Sequence, residues 1–262
     1  MNPDHIKNAI ASFIRVQLEE SGASGAVIGL SGGIDSTVAA YLTACAIGHE
    51  NVLGILLPVR NLTPEQDGGD AIDIADRLGI EYRVIEISDV LQSFSGLIPD
   101  YDLGAAVSNG NLIARTRMCV LYYYANLLNR IVIGTGNRTE LLLGYATKYG
   151  DSGVDIEPLG DLYKTEVFEL ARYLGVPERI IEKPPSARLW AGQTDEGELG
   201  MRYQEIDRIL RMLVDENLSV EEVVACGIPE DSISRIIDLI RTSEHKRHAP
   251  QRAGGKPENP KL

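Results

Sequence analysis

The chain has 262 residues, a hydrophobic content of 44% and a formal net charge of −13 at pH 7. The hydrophobic content suffices for a folded core, whereas the acidic balance argues against nucleic acid or an anionic membrane as the main partner. The sequence contains no run of about 18 apolar residues, and its N-terminus does not resemble a signal peptide. We therefore expect a cytoplasmic protein with a single domain over 1–248, followed by a tail at 249–262.

The cysteine content supports the same compartment. The chain contains only Cys45, Cys119 and Cys226, which are far apart in the sequence and surrounded by apolar residues. No Cys-x-x-Cys pair that would hold a metal ion or transfer sulfur is present. We predict three reduced cysteines in the core.

The first elements flank one glycine-rich turn. Apolar residues recur with a helical period over 3–20. A short apolar segment at 26–30 predicts a buried strand, and an alanine-rich segment at 38–47 predicts a buried helix. The turn between strand and helix is Ser31-Gly32-Gly33-Ile34-Asp35-Ser36-Thr37.

Strands and helices alternate further along the chain. Thr63 is the predicted N-cap of one helix, with Pro64 at its first position and Gln66 completing a capping box. The predicted strands lie at 52–57, 82–87 and 131–133. The predicted helices lie at 63–78, 89–94, 111–129, 164–174, 201–216, 219–225 and 229–243. The predicted long loops lie at 96–110, 143–161 and 183–200.

This alternation predicts an α/β fold, namely a Rossmann-like three-layer sandwich with a mainly parallel sheet and a helical C-terminal segment. Ligands of such sheets bind at the carboxyl ends of the strands. The loops after Leu30, Leu57 and Ile133 should therefore share one crevice.

The glycine-rich turn has the chemistry of an anion site. Gly32 and Gly33 allow a positive φ and a close approach of the backbone to a ligand. Free N–H groups at the start of the following helix favour a negative charge there. Asp35 would repel a phosphate unless it holds a divalent cation that bridges phosphate oxygens.

Two other phosphate or catalytic motifs compete for this stretch. A Walker A loop requires a lysine before the final Ser or Thr, and the sequence has none there. The segment from Gly29 to Gly33 matches the Gly-x-Ser-x-Gly elbow of serine hydrolases, with Ser31 as nucleophile and His245 or His248 as base. Too few residues precede Ser31 to supply the strands and oxyanion loop that normally accompany such an elbow.

The turn Ser31-Gly32-Gly33-Ile34-Asp35-Ser36 resembles the SGGxDS signature of the PP-loop superfamily, the N-type ATP pyrophosphatases with an adenine nucleotide alpha hydrolase-like fold. Four later stretches resemble the ammonia-dependent NAD synthetases within that superfamily. They are Asn109-Gly110-Asn111-Leu112-Ile113-Ala114-Arg115-Thr116-Arg117-Met118, Gly134-Thr135-Gly136-Asn137-Arg138-Thr139-Glu140, Thr147-Lys148-Tyr149-Gly150-Asp151-Ser152-Gly153 and Glu244-His245-Lys246-Arg247.

The resemblance implies amidation of nicotinic acid adenine dinucleotide (deamido-NAD) by ammonia, with ATP converted to AMP and pyrophosphate through an adenylated carboxylate. It implies Asp35 and Glu140 as Mg²⁺ ligands, Asp35, Glu140, Lys164 and Asp151 as catalytic residues, and a homodimer. Implied ATP contacts are Gly29, Leu30, Ser31, Gly32, Gly33, Ile34, Asp35, Ser36, Thr37, Thr135, Lys164 and Ser186. Implied dinucleotide contacts are Asn111, Arg115, Thr135, Lys148, Asp151, Asp155, His245 and Lys246.

The chain departs from the family pattern in places. Ser186 stands where the family often has threonine, and Val107 stands where some members have an aromatic residue that stacks on the substrate. The segment after Pro58, which would contact adenine, matches the family weakly. The chain contains no recognisable glutaminase part, so we expect ammonia as the nitrogen donor.

Other functions remain open from the sequence. A related PP-loop enzyme could amidate or thiolate a different acceptor, although thiolation usually needs reactive cysteines and a basic surface. A regulator could bind ATP without forming pyrophosphate. A serine hydrolase would lose all activity without Ser31, whereas an ATP site would only be weakened.

Overall fold

A parallel sheet of four strands lies at the centre of the computed structural model, which describes residues 2–250 and Ala253. The strand order is β3-β2-β1-β4, and the pairings β1–β2, β1–β4 and β2–β3 are all parallel. The strands are β1 (Ala26–Gly29), β2 (Val52–Leu56), β3 (Glu81–Val84) and β4 (Ile131–Ile133). Most of the tail expected at 249–262 lies outside the described residues.

Helices cover both faces of the sheet and form a group of their own near the C-terminus. They are α1 (Pro3–Ser21), α2 (Ile34–Ile47), α3 (Glu65–Leu78), α4 (Ser88–Leu97), α5 (Ala106–Leu128), α6 (Arg138–Leu143), α7 (Lys164–Tyr173), α8 (Glu178–Ile181), α9 (Asp195–Leu199), α10 (Tyr203–Leu210), α11 (Val220–Ala225) and α12 (Glu230–Thr242). Short 3₁₀ turns lie at His49–Asn51 and Glu244–Lys246, and a π turn at Arg211–Asp215 follows α10.

The core is divided by the sheet. Successive side chains of a strand point to opposite faces, so Ile28 packs in one cluster with α1, α2 and α7, whereas Val27 packs in the other with α5. A third cluster joins α6 to the C-terminal helices through Tyr203, Ile206 and Ile236. These features confirm the predicted three-layer α/β sandwich and its helical C-terminal segment.

The start of α5 differs from the prediction. It begins at Ala106 rather than at 111, so part of the loop predicted at 96–110 is helical. The predicted loop includes Gly110, but this residue lies buried in the helix, where a Cβ would stand 2.9 Å from the Leu189 Cβ. Glycine is present there because the 183–194 segment packs closely against α5.

The predicted cap of α3 is also wrong. The N-cap is Pro64, no side chain caps it, and the Thr63 hydroxyl instead accepts a hydrogen bond from the Val59 amide at 2.9 Å. Thr63 therefore closes the turn after β2 and leaves the helix start uncapped.

Short elements differ as well. The helices α6, α8 and α9 were not predicted, because four to six residues give no readable period. The strand predicted at 82–87 ends at Val84, and the helix predicted at 201–216 is regular only to Leu210.

All three cysteines are exposed and free, so the prediction that they lie in the core is wrong. Within the described part of the chain, no helix is long and apolar enough to span a membrane.

Candidate functional site

One cavity of about 340 Å³ opens at the carboxyl ends of β1, β2 and β4. Its wall includes Leu30, Leu57 and Gly134, so the loops after these three strands share a crevice as the topology predicted. The polar part of the wall consists of Ser31, Asp35, Ser36, Thr63, Asp67, Arg117, Thr135, Glu140, Tyr145, Asp151, Lys164, Lys183, Ser186, Arg188 and Asp195.

Lys164 is the central charge of this cavity. It begins α7 and is only 1% exposed. Its Nζ lies 2.5 Å from Asp35 Oδ2 and 3.1 Å from Glu140 Oε1. The Tyr203 ring lies beneath the ammonium, with its centroid 5.1 Å from Nζ. The lysine therefore bridges two carboxylates that would otherwise repel each other.

Asn137 holds the same two carboxylates from the other side. Its Nδ2 donates to Asp35 Oδ1 at 3.0 Å, and its Oδ1 accepts from the Glu140 amide at 3.1 Å. Glu140 Oε2 in turn accepts from the Asn137 amide at 3.3 Å, which completes a capping box at the start of α6. We did not single out Asn137 from the sequence, although Asn followed three residues later by Glu is the usual signal of such a cap.

Burial sets the electrostatics of this group. It raises the pKa of Glu140 above its ordinary value, while Lys164 acts in the opposite direction. Burial alone would lower the pKa of Lys164, but Asp35 and Glu140 more than offset this and hold it above its usual range. Burial likewise raises the pKa of Asp195, another carboxyl of the cavity wall. The lysine is therefore a permanent cation among acidic groups.

The glycine-rich turn forms the adjoining wall. The Ser31 and Ser36 hydroxyls lie 2.9 Å apart, and the Gly33 amide donates to Ser31 Oγ at 3.2 Å. Gly33 is the N-cap of α2 and provides no side-chain cap, so the helix presents its first amides to the cavity. Thr37 is buried and donates to the Gly33 carbonyl at 2.8 Å. Neither Thr37 nor Gly32 belongs to the cavity wall.

The donor chemistry fits a hard divalent cation. Asp35 and Glu140 present carboxylate oxygens to the cavity from two different elements. Mg²⁺ is usually held by one or two carboxylates together with substrate phosphates and water. The described residues contain no cluster of three or more acidic, histidine or cysteine side chains that would form a complete protein cage.

The proposed dinucleotide contacts are divided between two places. Thr135 and Asp151 line the cavity, whereas Asn111, Arg115 and Lys148 lie around the adjacent segment at 144–151. Asn111 Oδ1 accepts from the Thr147 hydroxyl at 2.7 Å, and Arg115 Nη2 donates to the Lys148 carbonyl at 3.2 Å.

The predicted C-terminal contact residues, His245 and Lys246, bind the 144–151 segment. Lys246 Nζ donates to the carbonyls of Gly144 and Ala146, both at 2.7 Å, and Lys148 Nζ donates to the His245 carbonyl. His245 and Lys246 thus lie beside the cavity and outside its wall.

Asp155 and Asp151 have contrasting environments. Asp155 lies outside the cavity wall, and its oxygens accept from the Tyr122 hydroxyl at 2.9 Å and the Val132 amide at 2.7 Å. Asp151 lines the cavity. Burial among neighbouring protein atoms raises its pKa, while the Thr147 amide, which donates at 2.7 Å, acts in the opposite direction.

Several residues of the wall were not found by sequence reasoning. Asp67, Lys183 and Arg188 meet there from α3 and the 183–194 segment, and Asp195 approaches Lys164 from α9. The pairings of Asp67 with Lys183 and Arg188 span more than a hundred residues along the chain, and Asp195 lies about thirty residues from Lys164. No local pattern could have indicated them.

The wall also bears on the serine-hydrolase alternative. None of the four histidines, all of which the structure describes, belongs to the cavity wall beside Ser31. The Ser31 hydroxyl is instead bonded to Ser36 and to the Gly33 amide. A nucleophilic serine needs a base within hydrogen-bond reach, and the elbow therefore lacks its histidine.

Comparisons with known proteins give matches over almost the whole chain. A family model described as NAD synthase matches residues 6–250. The NH(3)-dependent NAD(+) synthetase of Methanosarcina acetivorans is 50% identical over 95% of this chain and 98% of its own. A solved NMN synthetase from Francisella tularensis superposes with a TM-score of 0.86 at 38% identity, covering 97% and 99% of the two chains. An NH3-dependent NAD synthetase from Campylobacter jejuni gives 0.80 at 33% identity, over 96% and 98%.

Proposed function

Since the chain belongs to the NAD synthase family, we propose that its cavity carries out the ATP-dependent amidation of deamido-NAD by ammonia. The enzyme is a ligase that forms a C–N bond. The single observation that carries the assignment to this cavity is the Lys164 ammonium between Asp35 and Glu140, directly beside the glycine loop.

The reaction has two steps. A carboxylate oxygen of the dinucleotide attacks the α-phosphorus of ATP, and the bond to the β-phosphate oxygen breaks to release pyrophosphate. Ammonia then attacks the carbonyl carbon of the adenylate, AMP leaves with the carboxylate oxygen, and one proton is released. Both steps place negative charge on phosphate oxygens, so catalysis depends on positioned positive charge and N–H donors.

The residues of the cavity supply those groups. We assign the phosphates of ATP to the amides at the start of α2, the hydroxyls of Ser31, Ser36 and Ser186, and the Lys164 ammonium. Lys164 stays protonated because its two carboxylate neighbours raise its pKa. We assign Mg²⁺ to Asp35 and Glu140, where a bound ion would offset phosphate charge during pyrophosphate departure.

Asp151 is the proposed proton acceptor for the second step. Attack requires ammonia, whereas ammonium predominates at neutral pH, so a base near the acyl carbon assists. Burial raises the pKa of Asp151 towards the range of a useful base, and its carboxyl lines the cavity. We place the dinucleotide against Thr135 and Asp151, beside the 144–151 segment that Arg115 and Lys246 support.

The remaining expectations are proposals on the same basis. Proposed site residues come from the sheet and from the C-terminal helices, which supports one catalytic unit over 1–248. Three free cysteines support a reducing cytoplasmic location. Exposed apolar side chains on α4 and α5, including Leu97, Tyr123 and Leu127, support a homodimer formed through these helices.

A second acceptor is suggested by the Francisella structure. An NMN synthetase would amidate the mononucleotide counterpart of the same acceptor, and its fold superposes on nearly the whole of this chain. The chemistry of the cavity serves either acceptor, because only the reacting carboxylate meets Lys164 and the ATP phosphates. The difference would lie in the AMP half of the dinucleotide, which the mononucleotide lacks.

The test is to supply ¹⁵N-ammonium, ATP and Mg²⁺ with either acceptor and identify the product by mass spectrometry. We expect labelled NAD from deamido-NAD, with a kcat/KM well above that for nicotinic acid mononucleotide. A preference for the mononucleotide would replace the first proposal by the second. Labelled product from neither acceptor, despite ATP binding, would contradict both.

A further inference from the structure

We propose that Lys183 is a positioning residue that fixes the orientation of the glycine loop at Gly32 and so keeps the loop ready for the triphosphate. This inference rests on the proposed function, because it assigns ATP to that loop. Lys183 is not among the residues that the family resemblance indicates.

The Lys183 ammonium is fully occupied by contacts within the protein. Its Nζ donates to the Gly32 carbonyl at 2.9 Å, to Asp67 Oδ1 at 2.7 Å and to Asp70 Oδ2 at 2.7 Å. An ammonium has three N–H donors, so none remains for a ligand. The lysine side chain is 13% exposed, and the two carboxylates are 6% and 5% exposed. Lys183 therefore acts through the loop and not by contact with phosphate.

The loop needs such an anchor at this peptide. Gly32 has φ +75°, and a Cβ there would lie 2.1 Å from the Asp67 carbonyl oxygen, so only glycine fits. The start of α3 thus packs against one side of the loop, while Lys183 holds the Gly32 carbonyl. A carbonyl turned into the cavity would present its negative end to phosphate, whereas successive amides form an anion site. The hydrogen bond from Lys183 opposes such a rotation of the Gly32 carbonyl.

The same contacts fasten a second wall of the cavity. Arg188 Nε lies 3.0 Å from Asp67 Oδ2, and Arg179 Nε lies 2.7 Å from Asp70 Oδ1. Both buried carboxylates are therefore shared between Lys183 and an arginine. Ser186, which we assign to the ATP phosphates, lies between the anchored residues Lys183 and Arg188. The cluster of Lys183, Asp67 and Asp70 therefore fixes the positions of both the glycine loop and the 183–194 segment.

The experiment compares Lys183→Met with Lys183→Met/Asp70→Asn. Methionine keeps the length of the side chain and removes its charge and donors. The single variant leaves a buried carboxylate short of a cation, whereas the double variant removes that charge as well. For each full-length protein we would measure the Kd of ATP by calorimetry with Mg²⁺ and no acceptor, the KM values, kcat and Tm.

We expect the Kd and KM for ATP to rise on the order of tenfold in both variants, with a much smaller change in the KM for deamido-NAD. The Tm should fall in the single variant and partly recover in the double variant, while the ATP affinity does not recover. Lys7→Met, the same substitution on α1 and away from the cavity wall, should leave the ATP affinity and the kinetic values unchanged.

Two results would overturn the proposal. ATP affinity equal to that of the unaltered chain would show that the loop keeps its orientation without Lys183. Recovery of ATP affinity together with Tm in the double variant would show an ion pair that serves stability alone. An unaltered chain that binds ATP but forms no amide would contradict the proposed function and leave the affinity comparison intact. An unaltered chain that does not bind ATP would overturn both.

Discussion

At the residue scale, the Lys164 ammonium lies between the carboxylates of Asp35 and Glu140. Replacement of Lys164 by methionine leaves Asp35 and Glu140 facing each other without a cation. We expect kcat to fall by about 10²-fold or more, because a fixed charge at the departing pyrophosphate is lost. Steady-state kinetics of Lys164→Met would measure this.

Lys7→Met on α1, away from the cavity wall, is the matched control and should retain full activity. Circular dichroism of both variants separates a catalytic loss from unfolding. A folded Lys164→Met protein with the kcat of the unaltered chain would remove Lys164 from the mechanism.

Glu157 allows a test by pH. Burial raises the pKa of this carboxyl to about 8, although the Gly136 amide, which donates to it at 2.9 Å, acts in the opposite direction. An unfolded glutamate titrates near about 4.3. Between pH values of about 4.3 and about 8, Glu157 keeps its proton in the folded chain and loses it in the unfolded chain. The contribution of Glu157 to the free energy of unfolding therefore falls as pH rises through this window, and it is constant above it.

The variant Glu157→Gln cannot ionise and should escape this loss. We expect its Tm to exceed that of the unaltered chain by a margin that grows from pH 5 to about pH 8 and then levels off. Glu19→Gln, at an exposed position of α1, should show no growing margin. A Tm difference independent of pH would mean that Glu157 titrates at an ordinary value in the folded chain.

At the scale of elements, α10 reaches the site through one buried carboxylate. Asp207 Oδ1 accepts from the Thr139 hydroxyl at 2.5 Å, and Oδ2 accepts from the Thr165 amide at 2.8 Å. Thr139 Oγ1 itself accepts from the Lys164 amide at 2.9 Å. Asp207 thus links the first turn of α7, which carries Lys164, to α6, which carries Glu140.

Asp207→Asn keeps the shape of the side chain but replaces one acceptor by a donor that faces the Thr165 amide or the Thr139 hydroxyl. We expect a loss of about 1–3 kcal/mol in the free energy of unfolding and a lower kcat. Denaturant unfolding and kinetics would measure both quantities. Asp76→Asn on the exposed side of α3 is the control. An Asp207→Asn protein with unchanged stability would show that this link contributes nothing.

Elements differ in how far the sequence predicts them. The first helix, the strand before the glycine loop and α2 were predicted within a few residues, because long apolar periods and terminal glycines mark them. Short helices such as α9 carry no period, and the π turn after α10 has no sequence signal. The roles of Gly110 and Thr63 were predicted wrongly because each depends on a tertiary or loop contact. Gly110 packs against Leu189, which is distant in the sequence, and Thr63 bonds to the Val59 amide in an irregular turn.

The site shows the same division. Asp35, Glu140 and Lys164 were predicted from motifs, and the structure places their charged groups together. The Lys183 cluster and Asp195 depend on where the 183–194 segment and α9 fold back over the sheet. That placement follows from tertiary packing, which the local sequence does not encode.

At the scale of the whole molecule, the exposed apolar surface of α4 and α5 predicts an assembly. Tyr123 and Leu127 are 64% and 63% exposed on α5, and such a continuous face is usually covered by a partner. We expect a homodimer in sedimentation experiments. Tyr123→Glu should shift it towards monomer, whereas Val224→Glu on α11 should not. A monomeric unaltered chain at micromolar concentration would contradict the expected dimer.

The reaction proposed for this cavity activates a carboxylate by transfer of adenylate from ATP. The most direct measurement uses deamido-NAD labelled with ¹⁸O in its nicotinate carboxylate, together with ATP, Mg²⁺ and ammonium. We expect one ¹⁸O atom in the AMP for each NAD formed, with unlabelled pyrophosphate. Formation of ADP and labelled inorganic phosphate would instead place the attack at the γ-phosphorus and contradict the account.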